Sequence, residues 1–287
     1  MKTRIISGIV MGIIVAVFLA LGMLVSPLFI TAFIAFIASV AIVELLKNVA
    51  RIESKFAIAS AVIYGILNVV AFNSRLDFNA SIVFGFQNPF HSHYSGFSKI
   101  GLSVIFTVIF FVIAAVICLK NQGKFNLAQI FGLTAFPIII SFAFSCLGMV
   151  LNSEDGIYYL LLMLNFSSVC DMGAYFVGVT LGKHKLCPII SPKKTVEGAI
   201  GGIVSSIIVT FIISLCFNKS LIIPMLITVP FCVLGMIGDL FASSVKRSVD
   251  LKDYGSLIPG HGGILDRFDS IIMIAPVLYL VIELGVI

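Results

Sequence analysis

Residues 238–269 read G-D-L-F-A-S-S-V-K-R-S-V-D-L-K-D-Y-G-S-L-I-P-G-H-G-G-I-L-D-R-F-D. Apolar runs at 221–243 and 270–287 flank the polar middle of this stretch, and that contrast decides the fold. The stretch holds five of the thirteen acidic residues, Asp239, Asp250, Asp253, Asp266 and Asp269. It also holds four of the eighteen basic ones, Lys246, Arg247, Lys252 and Arg267. A solvated loop between two membrane helices accounts for such a run. So does a binding surface, because carboxylates hold a hard cation while Lys, Arg and backbone N–H groups hold phosphate oxygens.

Outside this stretch charge is scarce. The 287 residues are 60% hydrophobic and 11% charged, against about 25% charged in soluble domains. Apolar runs of about 20 residues recur. They predict an all-α polytopic membrane protein with nine spans, at 5–25, 28–46, 56–72, 100–119, 127–150, 157–181, 196–217, 221–243 and 270–287. The first run is long for a signal-peptide core and has no clear small-residue cleavage site, so it reads as a retained span. With the N-terminus in the cytoplasm, fifteen Lys and Arg fall on the inner side and only Arg75, Lys99 and Lys219 outside. This asymmetry orients the chain and accounts for the net charge of +5 without nucleic acid. Polarity is concentrated late. Residues 1–155 read as scaffold, lipid-contact or dimer-contact helices, and 156–287 as a catalytic membrane region with cytoplasmic loops.

Several features point to nothing specific. Cys118, Cys146, Cys170, Cys187, Cys216 and Cys232 form no C-x-x-C pair, and most sit in apolar runs as small hydrophobes. The outer loop at 73–99 is rich in Phe and Tyr and suits a membrane interface better than a metal site at His91 and His93. The sequons at Asn79 and Asn218 read as accidental. Glu44 is the one acid within the first five spans, near a helix end where it reaches water.

Spans six to nine differ. Asp171 lies inside span six, and Asp239 near the cytoplasmic end of span eight. A carboxylate within a membrane usually faces a cavity or a partner. After span six comes S-P-K-K-T-V-E-G, residues 191–198. Either Ser191-Pro192 or Thr195 can cap the next helix, with Glu197 in its first turn. Free N–H groups and the positive dipole end then lie beside Lys193 and Lys194, which suits a phosphate. Asp266 and Asp269 share a helical face, as do Asp239 and Ser243. Gly262 and Gly263 let backbone approach a ligand closely. If these aspartates converge they need a cation, and Mg²⁺ fits. A salt-bridge net with Arg247, Lys252 and Arg267 is the other reading. His261 suits a phosphate contact, proton transfer or a structural hydrogen bond.

The run Ser243-x-Val245-Lys246-Arg247, then Lys252-Asp253-x-Gly255, then Ile258-Pro259-x-His261-Gly262-Gly263-Ile264-x-Asp266-Arg267-Phe268-Asp269 resembles the signature of the phosphatidate cytidylyltransferases, of bacterial type. No position of that signature departs from the family pattern. Gly238-Asp239, the block from Ser191 to Gly198, and D-x-G-A-Y from Asp171 to Tyr175 also resemble the family. The specific likeness spans roughly residues 165–270. It implies that CTP and phosphatidate give CDP-diacylglycerol and pyrophosphate. It further implies Mg²⁺, a K⁺ ion that can accompany it, a homodimer, and a site on the cytoplasmic face of the bacterial inner membrane.

On the matched positions, Asp239, Asp266 and Asp269 are metal ligands. Lys246, Arg247, Lys252 and Arg267 are phosphate ligands, with Asp253 and His261 beside them in the catalytic loop. Asp171, Tyr175, Ser191, Lys193, Lys194, Thr195, Glu197, Ser243, Gly262 and Gly263 complete the substrate site. A CTP-dependent lipid kinase is the nearest rival reading. A secondary transporter is a more distant one, since paired broken helices in both halves are not evident.

Overall fold

A computed structural model describes residues 2–73, 95–121, 125–188, 190–260 and 262–287. The loop at 74–94, with His91, His93 and the Asn79 sequon, lies outside them, as does His261. The described chain is almost wholly helical, with one two-stranded sheet. Among the described residues, eight helices are long and apolar enough to cross a membrane. The ninth predicted span corresponds to Leu265–Glu283, which carries charge in its first turn and is not among those eight. The chain divides into two compact units, Met1–Met149 and Val150–Ile287.

The first unit contains α1 (Lys2–Leu24), α2 (Leu28–Glu44), α3 (Lys55–Asn73), α4 (Ser95–Lys120) and nearly all of α5 (Leu127–Leu151). A π-helical turn, Leu45–Val49, continues α2. It carries the helix past Glu44, which is therefore buried rather than near water. In a bilayer, helices gain little from excluding water, so polar pairs and close packing hold them together. Asn68 of α3 donates to Ser141 Oγ of α5 at 2.9 Å and accepts from Ser103 Oγ of α4 at 2.5 Å. Beside it the Tyr64 and Thr107 hydroxyls bond at 2.9 Å, and the Tyr64 ring stacks on Phe110.

The second unit contains α6 (Gly156–Leu164), α7 (Cys170–Leu181), strands β1 (Lys185–Cys187) and β2 (Ser191–Thr195), α8 (Val196–Cys216), α9 (Ile222–Ser248) and α10 (Leu265–Glu283). A π-helical turn, Asn165–Val169, joins α6 to α7 into one apolar span. Asn165 in that turn donates to Ser206 O and Thr210 Oγ1 of α8, both at 2.9 Å. Glycines bring α7 against α8. A Cβ on Gly202 would lie 2.5 Å from the Cys170 carbonyl oxygen, and one on Gly198 2.6 Å from that of Ala174. Gly235 and Gly238 do the same for α9 and α10, where a Cβ on Gly238 would meet the Asp269 carbonyl at 3.1 Å.

Two helix boundaries differ from the hydropathy reading, and both move site residues. Helix α9 runs to Ser248, so Asp239 stands nine residues before its end rather than near it. Helix α10 begins at Leu265, so Asp266 and Asp269 both lie on it.

Candidate active site

The hairpin between α7 and α8 brings the first cation into place. Strands β1 and β2 pair antiparallel, Lys185 opposite Thr195 and Cys187 opposite Ser191. Of the two candidate caps, Thr195 takes the role and accepts from Gly198 N at 3.2 Å. Ser191 instead lies in β2. Glu197, in the first turn of α8, accepts from the backbone N–H groups of Lys183 at 3.0 Å and His184 at 3.2 Å. Its other oxygen lies 2.5 Å from His184 Nδ1. Glu197 thus ties the hairpin's entry to the start of the helix and has no place on the cavity wall.

This scaffold aims Lys194 at three carboxylates. Its ammonium contacts Asp239 Oδ2 of α9 and stands 4.0 Å from Asp171 Oδ1 of α7. Asp269 of α10 is close enough to act on it electrostatically. Burial works against the Lys194 charge, but Asp239, Asp171 and Asp269 outweigh it and hold the ammonium above the usual lysine range. The approach to Asp239 is ionic rather than aligned, since the buried Nζ has no oxygen in hydrogen-bond geometry. Lys193, Lys194, Asp171, Tyr175, Thr195 and Asp239 line one cavity of about 210 Å³, along with Leu186, Ala174, Ala199 and Met236.

A second ion pair closes the stretch from α9 to α10. Helix α9 ends with Asp250 at φ 60°, Leu251 N bonding Lys246 O at 2.8 Å and Asp250 N bonding Arg247 O at 3.2 Å. That is a Schellman ending with Asp in the place usually taken by Gly. The chain then folds back through an Ile258–Gly262 bridge, with Gly262 at φ 85°. A side chain at Gly262 would crowd the Asp266 carboxylate and Asp253. Lys246 Nζ donates to Asp266 Oδ1 at 2.8 Å, while Asp266 Oδ2 accepts from Tyr254 N at 2.8 Å and Gly263 N at 2.9 Å. Lys246, Tyr254 and Asp266 are all buried. The Tyr254 hydroxyl donates to Ala242 O at 2.9 Å, and burial, then Asp266 and Asp269, push its phenol above the usual range, so it stays protonated.

Charges alternate across the helix ends. Asp171, Lys194 and Asp239 form one group, Lys246 and Asp266 another, and Asp269 acts electrostatically on both lysines. Lys246, expected as a free phosphate ligand, is engaged with Asp266 because both are buried and each needs a counter-charge. Among the described residues no group of three His, Cys, Asp or Glu side chains is gathered tightly enough to hold a metal. Arg247, Lys252, Asp253 and Arg267 are exposed, with Arg247 Nη1 donating to Leu251 O at 3.1 Å. Ser243 is half-buried, one helical turn after Asp239. Tyr254 and His184 were not singled out by sequence. The signal for Tyr254 is a lone aromatic in a loop rich in glycine and charge.

A family model described as the cytidylyltransferase family matches residues 2–285. The chain is 35% identical over 290 aligned residues to the phosphatidate cytidylyltransferase of Bacillus subtilis, covering 99% of this chain and 98% of that protein. It is 36% identical over 183 residues to the phosphatidate cytidylyltransferase of Staphylococcus haemolyticus, covering 63% of this chain and 69% of that protein. A Staphylococcus aureus protein of the same name is 36% identical over 184 residues, covering 62% and 68%. Matched along nearly its whole length by one family, the chain belongs to the cytidylyltransferase family.

Proposed function

We propose that the protein transfers the cytidylyl group of CTP to phosphatidate, giving CDP-diacylglycerol and pyrophosphate. The names of its relatives support this reading. The observation that carries it is the cavity where Lys194 meets Asp171 and Asp239, with Lys193 and the start of α8 on its wall. Lysines beside a helix N-terminus receive phosphate oxygens, and the apolar spans α7, α8 and α9 that form its wall would leave acyl chains in the bilayer.

By donor type the three aspartates suit a hard cation, but among the described residues they are not gathered as a metal site. Asp239, Asp266 and Asp269 offer only oxygens, and each already faces an ammonium. To hold Mg²⁺, with K⁺ as a second cation, these aspartates would have to exchange their lysine partners for the ions. Bound there, Mg²⁺ supplies positive charge to the phosphates as the α-phosphorus is attacked. Both Asp266 oxygens are engaged here, Oδ1 by Lys246 Nζ and Oδ2 by two backbone N–H groups.

The chain's own residues do the rest. A phosphatidate oxygen is already anionic at neutral pH, so the attack on the α-phosphorus needs no strong base. The difficulty is bringing two polyanions together. Lys193 and Lys194 lower that repulsion in the cavity, and the exposed Arg247, Lys252 and Arg267 would offer further positive charge to the phosphates. Pyrophosphate leaves with its charge met by the same groups. The site would face the cytoplasm from a bacterial inner membrane, in keeping with the fifteen Lys and Arg assigned to that side, and the protein would act as a homodimer. Purified protein incubated with phosphatidate and CTP labelled at the α-phosphate tests this. Label in the lipid supports it, whereas label found only in released CDP identifies a CTP-dependent lipid kinase and overturns it.

A further inference from the structure

We infer that His184 is a positioning residue: through Glu197 it clamps the base of the hairpin and so keeps Lys194 on Asp239 and Asp171. The inference rests on the reading above for what Lys194 does in the reaction, and on geometry for the rest. A two-stranded hairpin is marginally stable by itself. This one has strands of three and five residues, and its register shifts between Lys185 and Cys187. Its own ladder is a poor guarantee of where Lys194 sits, and the added hold comes at the base. There Val196 N donates to His184 O at 2.9 Å. Glu197 gathers three donors from the entry to β1: Lys183 N at 3.0 Å, His184 N at 3.2 Å and His184 Nδ1 at 2.5 Å. An ionised carboxylate only accepts, so the imidazole carries a proton on Nδ1.

The clamp and the working lysine are close along the chain. Lys194 directly precedes Thr195, which is buried, caps α8 through Gly198 N and pairs with Lys185, the residue after His184. Glu197 follows two residues later. If the clamp opens, the end of β2 is freed on the side where Lys194 must reach two carboxylates of α7 and α9. A displacement of about 1 Å at such a group can cost about 10²-fold in rate. The His184 side chain is 78% exposed and lines no part of the cavity. It therefore acts through Glu197 and the hairpin and need not touch either substrate.

Two variants isolate the ring contact in full-length protein. His184→Ala removes it. His184→Asn keeps an N–H donor at the place of Nδ1 without a titratable ring. In His184→Ala, amide hydrogen exchange at Val196 should rise by about two- to fivefold, the worth of an exposed pair. Labelling of Lys194 by an amine-reactive ester, measured by mass spectrometry against the exposed Lys193, should speed up as the ammonium spends time away from its carboxylates. The kcat/KM for CTP should fall severalfold, and His184→Asn should bring all three readings back toward wild type. A lowered melting temperature with wild-type Lys194 labelling would mean a merely structural histidine and overturns the inference. So does unchanged exchange at Val196 in His184→Ala, or an Asn variant no better than Ala. Exchange and labelling need no turnover. If the wild type failed to use CTP, the reading of the reaction would fall while these two still decided the role of His184.

Discussion

Lys194 and Asp239 meet between a two-stranded hairpin and a 27-residue helix, so the cation and the carboxylate are supplied by separately folded elements. Lys194→Met keeps the aliphatic stem and removes the charge. Losing one preorganised cation at a site of developing charge costs about 10²–10³ in rate. We expect kcat/KM to fall by that order, with partial recovery in Lys194→Arg. A rate within twofold of wild type would remove Lys194 from the reaction.

Asp239→Asn and Asp269→Asn are close in shape to the native residues and remove like charges from a crowded site. Both should keep the melting temperature near wild type and abolish Mg²⁺-dependent turnover. Chelating divalent cations from the wild type should stop turnover in the same way, with Mg²⁺ restoring it. Undiminished activity in excess chelator would refute the metal assignment.

Asp266→Asn has a different signature. It leaves the Lys246 ammonium, 8% exposed, without its counter-charge. Breaking a buried pair on one side costs about 3–5 kcal/mol. Thermal unfolding should therefore shift sharply downward. Adding Lys246→Met should recover much of the stability but none of the activity, and a double variant as unstable as the single one would contradict the pairing.

Gly202→Ala tests how α7 is seated. The added Cβ would fall 2.5 Å from the Cys170 carbonyl oxygen, a backbone atom that cannot rotate away. The helix carrying Asp171 must shift, and a misplacement of about 1 Å can cost about 10²-fold in rate. Activity should fall more than expression or melting temperature does. Wild-type kinetics in this variant would show that the Asp171 position tolerates such a shift.

Lys252→Ala should leave stability unchanged, because Lys252 is exposed. Its effect should appear as a higher KM for CTP or phosphatidate, measured at limiting substrate, with kcat nearly preserved. An unchanged KM for both would exclude a phosphate contact.

Hydropathy made most of the helices legible, because a bilayer demands long apolar runs with satisfied backbone. Even the short third run appears as Lys55–Asn73. The same signal hid the ends. The first turn of α10 carries Asp266, Arg267 and Asp269, so an apolar count starts that helix late, and polar residues near Ser248 cut α9 short. The hairpin was unreadable because β1 has three residues, too few for any alternation to show. Site composition was legible as a charged stretch and a Lys-Lys-Thr block. Which cation meets which carboxylate was not, since those pairings join residues 20 to 45 positions apart and depend on packing. Tyr254 escaped notice for that reason too: its value lies in what its backbone N–H and hydroxyl reach, and neither leaves a trace in the letters around it.

The widened turn at Asn165–Val169 sets the heading of everything after it. One additional residue in a helical turn rotates the downstream side chains by about 100° relative to a regular α-helix. Asp171 begins six residues after Asn165 and inherits that rotation in full. Shortening the chain by one residue within the turn would let the span relax into a uniform spiral and swing the Asp171 carboxylate round toward another neighbour. The hydrogen bonds from Asn165 to Ser206 and Thr210 are thus an azimuth lock: they fix the compass bearing of an acid group six residues further along the same span.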